Sequence, residues 1–577
     1  MRQSSGSDTK PKAAYRKSKV KSGCRTCKTR KVKCDEGRPA CKRCVTTGRV
    51  CDGYGIWGGG GNHYADRSDK RQSSLVLQPK TPAPLGPGTV DQEHRFEWFL
   101  CRTTLKLPGG FVSGFWKVLV LQASLAEPAV LHAALALSAA HQNEPYKGIR
   151  DRGDASVILD PEERFVLTHY TKAISHLQPH LAVTEKSSLR VALITCLLFT
   201  CTEFLRGHYV SGISHLHNGI KVLETFKFAP KSTGTTPPPS WNFSDYWIVE
   251  TFARLYIGSC LFGQSFPGHC PVIPDWTVGF PDVMFHNIGQ ARHSLDWLLE
   301  ETLVLEQQAR NTRTAFSDED LHLVDFTERK EHVKSNFESW KRTYEIASAN
   351  FDTQDTFLDP LAHKLLQAYY PMVEIMAARC TESCELNYDA HVGGFLAILA
   401  RALANFKIGR SHALAKALNE QGMSLSRSIS DMGSIPSLYY VALKCRVRRI
   451  RHHALKLLAL CSHKEGIWDA KIVTKVAREV VRIEEDGFYQ NHMLSDDFDD
   501  YSLPTEEEIV LPTLPESQRV NHVQVTFPDD TSGSLVLECL RKRDDGGWYV
   551  LTRIFDPIAQ MWKSPRDVKG FNPLSQV

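Results

Sequence analysis

The sequence predicts three structural regimes in one chain: a small cysteine-rich module, a large mainly α-helical domain, and a short C-terminal β-meander. Three observations carry this reading. Six cysteines fall within 28 residues, Cys24 to Cys51, in a stretch too short and too polar to bury a core. From Asp91 onward the apolar residues recur at helical spacing. After Phe488 that period gives way to short runs of alternating apolar residues separated by Asp/Gly turns.

The cysteines read Cys24-x2-Cys27-x6-Cys34-x6-Cys41-x2-Cys44-x6-Cys51, so the spacing of the first three repeats in the last three. A Cys-x2-Cys step places two thiolates on one turn, where they can grip one ion, and a third returns after a short loop. Zinc takes four ligands, so six thiolates satisfy two ions only if two sulfurs are shared, which gives one compact cluster. Metal binding then supplies the folding free energy that the module lacks. Disulfides or scattered core cysteines are the competing readings. Disulfides need an oxidising compartment, and nothing in the sequence resembles a signal peptide. Arg25, Lys28, Arg30, Lys31 and Lys33 crowd the first half, with Lys42 and Arg43 in the second. Two Zn2+ and six thiolates leave the metal core at net −2, so these side chains must supply any attraction for phosphate.

This arrangement resembles the fungal Zn2Cys6 binuclear cluster, a DNA-binding module. The resemblance implies two Zn2+ per chain, with Cys24 and Cys41 as bridging thiolates. Cys27 and Cys34 would complete one site and Cys44 and Cys51 the other. Pro39 matches the proline that fixes the turn between halves. The resemblance further implies that the short helix after the second ligand enters the major groove of double-stranded DNA and reads a CGG triplet. Arg30 and Lys31 match its base readers, and either can donate to guanine O6 and N7. Lys28, Lys33 and Arg43 are placed as phosphate clamps, and Arg25 belongs to the same basic set.

The rest of the chain follows in order. Its 577 residues, 42 % hydrophobic and 10 % aromatic, suffice for one or two globular domains beside the module. Residues 1–52 hold sixteen Lys+Arg against four Asp+Glu, a net +12, so the remainder carries −7 of the chain's +5. The basic charge is therefore local, as expected when one module meets nucleic acid. Residues 1–22 are expected to be a disordered basic arm, whose tract from Lys10 to Lys21 reads as a nuclear import signal or as non-specific phosphate contact. The module spans 23–54. Residues 55–90 read as a flexible Gly/Pro/Ser-rich linker, with Gly58 to Gly61 and Pro79, Pro82, Pro84 and Pro87, and no coiled-coil heptad. The other ten cysteines, among them Cys101, Cys196, Cys201, Cys260 and Cys445, read as reduced core residues. The longest apolar run, Val191 to Cys201, is too short for a membrane span, and no membrane partner is expected.

Residues 91–488 are expected to be helical. Phe96, Phe99 and Leu100 share a face, and Phe111, Phe115, Trp116, Val118 and Leu119 open an apolar stretch. Pro128 starts a helix striped by Val130, Leu131, Leu135 and Ala139. Ser187-Ser188 reads as the cap of a helix from Leu189 to Leu205 that is apolar nearly all round and so central, with Gly207 ending it. Tyr209 to Phe226 is its antiparallel partner, followed by Tyr246 to Phe262 and helices near 296–314, 318–349, 359–381, 386–408, 436–461 and 467–486. The stretches Ser113-Gly114-Phe115-Trp116, Leu119 to Ser124, Glu127 to Val130 and Glu203 to Gly207 resemble the large helical regulatory domain that follows the zinc cluster in many filamentous-fungal transcription factors. Residues 489–577 comprise an acidic segment and the meander. Asp496 to Tyr501 and Glu506 to Ile509 read as an activation-like segment or a solvated linker. Val523 to Phe527, Leu535 to Leu540 and Trp548 to Ile554 read as three strands packed on the helices.

No nucleophile elbow, phosphate loop or dinucleotide fingerprint is present, so no catalytic residue is assigned and the chain is not read as an enzyme. His208, His215 and His217 read as core or surface histidines. The basic run Arg446, Arg448, Arg449, Arg451 and Lys456 reads as a solvated helix face. The resulting expectation is a nuclear, sequence-specific RNA polymerase II transcription factor whose helical domain regulates activity, with a possible homodimer through that domain and co-regulators as partners. The alternatives are a helical protein-interaction scaffold and a DNA-tethered metabolic enzyme.

Overall fold

The computed structural model describes residues 27, 30–36, 41–47, 89–143, 160–183, 185–225, 243–264, 285–315, 326–351, 359–411, 427–490, 498–499, 501–509, 513–528 and 533–565. The basic arm and the stretch searched for heptads lie outside these residues. The chain forms two compact units, Met1–Thr81 and Pro82–Val577. In the first unit the regular element is α1 (Lys42–Thr46).

The second unit is built round one apolar helix. Its α2 (Val90–Trp98) runs into a π-helical turn at Phe99–Thr103, and a second π turn at Phe115–Leu119 leads into α3 (Val120–Ala126). Then follow α4 (Pro128–Asn143), α5 (Pro161–Leu181), α6 (Lys186–Arg206) and α7 (Tyr209–Thr225). Helix α6 is apolar on all faces, and α4, α5, α7 and α8 (Phe243–Leu261) pack around it. It is long and apolar enough to cross a membrane, but 83 % of that stretch is buried inside the unit, as in the core helix of a globular protein. Gly207 closes it in the left-handed region at φ 84°, its N–H bonded to the Glu203 and Phe204 carbonyls, so a two-residue turn returns the chain along α7.

The Ser187-Ser188 cap is corrected. The helix begins at Lys186 after Glu185, which places both serines in its first turn, and Ser188 Oγ lies 3.3 Å from His180 Nδ1. Helix α4 is buried on more than the expected stripe, because Ala133, Ala134, Ala136 and Leu137 are covered as well. Cys101 is exposed, against the expected core placement, and Val118 of the apolar stretch is exposed as well.

The chain continues through α9 (Ile288–Ala315), α10 (Thr327–Phe351), α11 (Asp359–Arg379), a 3-10 turn at Glu385–His391, and α12 (Val392–Ser411). Residues 318–325 of the helix expected at 318–349 lie outside the described residues. The single helix expected over 436–461 is two: α13 (Ile435–Lys444) and α14 (Arg448–Leu460), parted at Cys445 and Val447 by extended backbone. A two-strand hairpin, β1 (Lys464–Glu465) with β2 (Trp468–Asp469), precedes α15 (Ala470–Glu485), so the helix expected from 467 starts at 470. Asp469 caps it, its Oδ1 accepting from Lys471 N at 2.9 Å.

After the short α16 (Glu506–Ile509) comes the meander, an antiparallel sheet of four strands rather than three, in order β3 (Val520–Thr526), β4 (Leu535–Lys542), β5 (Trp548–Asp556) and β6 (Met561–Lys563). Leu535, Leu537 and Cys539 alternate onto its inner face and are buried. The sheet shares the helical core. Phe527 stacks on Phe262 with ring centres 5.5 Å apart, and Gln264 Nε2 donates to the Val525 carbonyl at 2.8 Å. Gly263, at φ 84°, allows the approach: a Cβ there would lie 2.7 Å from the Val523 carbonyl oxygen.

The basic run at 446–456 is a buried clamp, which corrects the reading of a solvated face. Arg446 and Arg451 are almost fully buried, and both donate to Glu484 on α15, Arg446 Nη2 at 2.8 Å. The same carboxylate accepts from Val520 N, so one side chain ties the α13–α14 link, α14 and β3 to α15. Burial would raise Glu484, but the two guanidiniums hold it down to about 2. Arg449 sits 3.5 Å over the Phe498 ring and pairs with Glu508 at 3.1 Å, while Lys456 lies 3.8 Å from that ring. Among the described residues, the acidic segment is thus partly docked on α14 rather than solvated.

Candidate metal centre and nucleic-acid interface

The module's local geometry follows from where its cysteines stand relative to helix ends. Cys27 opens a helical turn that closes when Lys31 adopts φ 55° and Val32 N bonds back to the Cys27 carbonyl at 3.0 Å. That is the six-to-one bond of a left-handed C-terminal cap, with lysine where glycine is usual. A non-glycine residue there costs roughly 1–2 kcal/mol, tolerated where surrounding structure enforces it. In the second half Cys41 precedes α1, and Cys44 N bonds back to the Cys41 carbonyl at 3.0 Å.

These turns bring four thiols together. Cys27 Sγ lies 3.6 Å from Cys41 Sγ and 3.8 Å from Cys44 Sγ, and all three are fully buried. The sulfurs of Cys27, Cys41 and Cys44 lie within 4.8 Å of one another, as do Cys34 Sγ, Cys41 Sγ and an Asp35 carboxylate oxygen. Cys41 is common to both groups, and Cys27 stands beside Cys44, which the expected partition assigns to the other ion. Two ligands of one tetrahedral zinc, each about 2.3 Å from the metal, sit about 3.8 Å apart, so the sulfur spacing fits the ion. The remaining expected ligands, Cys24 and Cys51, lie outside the described residues. When bound, two zinc ions cross-link the halves, and this chain's residues supply the thiolates and the cap described next.

Asp35 was not singled out by sequence. Its Oδ2 accepts from Lys42 N at 2.8 Å and its Oδ1 from Arg43 N at 2.9 Å, so it caps α1 from seven residues upstream and ties the two halves together. Both oxygens are engaged by amides, the arrangement of a helix cap. The repeat held a signal for it: an aspartate follows the third cysteine in both halves, Asp35 after Cys34 and Asp52 after Cys51.

Of the expected DNA-contacting residues, Lys31, Lys33 and Arg43 are exposed, and Arg30 is half-buried with its Nη1 donating to Thr47 Oγ1 at 3.2 Å. Arg30 and Lys31 thus stand at the end of the first helical turn. Arg25 and Lys28 lie outside the described residues. Of the three histidines weighed in the sequence, His215 Nε2 lies 2.7 Å from the Tyr170 hydroxyl, and His208 Nδ1 2.8 Å from Glu203 Oε2.

Known proteins share both regions. Residues 22–56 match the fungal Zn(2)-Cys(6) binuclear cluster domain, and residues 99–382 match the fungal specific transcription factor domain. An aspercryptin biosynthesis cluster-specific transcription regulator, atnN of Emericella nidulans, is 22 % identical over 558 residues, covering 81 % of this chain and 87 % of that protein. The transcription regulator lscL of Purpureocillium lilacinum is 22 % identical over 371 residues, 61 % of this chain and 86 % of its own length. A Zn(2)-C6 fungal-type transcription factor of Aspergillus fumigatus, afumD, is 29 % identical over 136 residues, 23 % of this chain and 34 % of that one. No solved structure matches the chain.

Proposed function

Because the chain belongs to the fungal Zn(2)-Cys(6) transcription regulators, we propose that it reads CGG-like triplets in the major groove and controls RNA polymerase II genes in the nucleus without catalysing a reaction. The observation that carries the reading is the convergence of four thiols with Cys41 common to both groups, beside exposed Lys31, Lys33 and Arg43. Cys24, Cys27, Cys34, Cys41, Cys44 and Cys51 hold two Zn2+. Arg30 and Lys31 read bases, and Arg25, Lys28, Lys33 and Arg43 clamp phosphates. Residues 23–54 form the reader and 55–90 a linker. Residues 91–488 regulate it, and 489–577 complete that body. A homodimer, formed through the helical domain, engages paired half-sites and gains affinity by effective concentration. Selection of random duplexes on the full-length protein tests the proposal. Enrichment of a CGG-like triplet, abolished by EDTA, is the expected outcome. Enrichment of no triplet, or binding indifferent to chelator, overturns it.

A further inference from the structure

A side-chain hydrogen bond crosses between the two halves of the zinc module: Arg30 Nη1 donates to Thr47 Oγ1 at 3.2 Å, 17 residues apart in the chain. Thr47 follows the last residue of α1, and its own position is fixed from two sides. Its backbone N–H bonds to the Cys44 carbonyl at 3.2 Å, and its hydroxyl lies 2.8 Å from the Arg43 carbonyl. A hydroxyl donates one proton and accepts through its lone pairs. Donation to Arg43 therefore leaves Oγ1 as the acceptor that Arg30 meets. Thr47 is also β-branched, which restricts rotation about χ1.

Arg30 keeps its reading capacity in this arrangement. A guanidinium is a planar fork of N–H donors, and Thr47 engages Nη1 alone, leaving Nε and Nη2 out of the bond. Guanine presents its O6 and N7 acceptors to such a fork. A long arginine side chain loses most of its rotamer freedom when it seats on a base, and ordering it beforehand lowers that cost. Thr46 supplies the contrast. Its hydroxyl bonds back to the Lys42 carbonyl at 2.9 Å, as that of Thr47 does to Arg43, but it makes no hydrogen bond to Arg30 among the described residues.

We propose that Thr47 is a positioning residue for sequence reading: its hydroxyl holds Arg30 pre-ordered against the second half of the module and acts through that side chain rather than on the DNA. The inference rests on the proposed function, in which Arg30 reads bases, and deepens it.

The test is triplet discrimination by the full-length, zinc-loaded protein, measured as the ratio of affinities for the selected duplex and for one with its triplet scrambled. Thr47→Val keeps the side-chain shape and deletes the hydroxyl, so discrimination should fall about threefold, the worth of one hydrogen bond at an exposed site. Thr47→Ser keeps the hydroxyl and should hold the parent ratio, and Thr46→Val should leave it unchanged. In an Arg30→Ala background Thr47→Val should have no further effect. Zinc should stay at two ions per chain throughout. The inference is overturned if Thr47→Val loses zinc, weakens both duplexes alike, raises discrimination, or lowers it equally in the Arg30→Ala protein. An effect of Arg30→Ala without one of Thr47→Val sinks this inference alone. Discrimination untouched by Arg30→Ala sinks the base-reading assignment of Arg30 and this inference with it.

Discussion

Asp35→Ala is the most informative single change in the zinc module. It removes two carboxylate–amide hydrogen bonds, at 2.8 and 2.9 Å, from the first turn of α1. Loss of an N-terminal cap costs typically about 1 kcal/mol, within a range of roughly 0.5–2. Two amides lose their acceptor here, but the aspartate is exposed, so screening holds the loss to roughly 1–2 kcal/mol. In a module whose folding free energy is its metal-binding free energy, that loss appears as zinc affinity weakened by about 5- to 30-fold. The assay is equilibrium partition of zinc between full-length protein and a chelating dye, with metal counted per chain. Two ions per chain should remain at saturation, and Asp35→Asn, which keeps one acceptor oxygen, should fall midway. Affinity within twofold of the parent would refute the capping argument. A fall to one ion per chain would instead make Asp35 a ligand.

Three other outcomes are expected. Arg30→Ala or Lys31→Ala should reduce discrimination for the selected triplet by about 1–3 kcal/mol, whereas Lys28→Ala should weaken all sequences alike and lower the salt slope by about one unit, both measurable by titration across salt concentrations. Glu484→Ala leaves Arg446 and Arg451 buried without their shared partner, so the helical unit should lose about 3–5 kcal/mol in denaturant unfolding while zinc content stays unchanged. Burial pulls His141 from its ordinary 6.5 down to about 4. The unfolded chain then binds more protons across that window, so stability is full above about pH 6.5 and falls as pH drops toward 4, by roughly 3 kcal/mol for this side chain. Glu484, held at about 2, adds its own loss only below the ordinary carboxylate range, but burial also pulls His132 and His169 down to about 4 and lowers His215, His293 and His522, so His141→Leu should reduce the fall in unfolding midpoints between pH 7 and 4.5 without abolishing it.

What the sequence determined by itself is what local spacing controls. The cysteine repeat specifies a metal cluster because ligand geometry is set within one turn and one short loop, and the sulfurs of Cys27, Cys41 and Cys44 are drawn within 4.8 Å of one another. The all-round apolar stretch before Gly207 specifies a core helix and its end, because burial of every face and the need for a left-handed residue are both written in consecutive positions. Tertiary structure decided the rest, wherever a side chain's state depends on partners far along the chain. Arg446, Arg449 and Arg451 look like a solvated basic face until Glu484, Glu385 and Glu508 arrive from other elements and neutralise them, which makes burial tolerable. Asp35 looks like a loop residue until folding sets it against the amides of α1. Spacing encodes contacts made within a turn or two, whereas charge compensation arises only where distant segments meet.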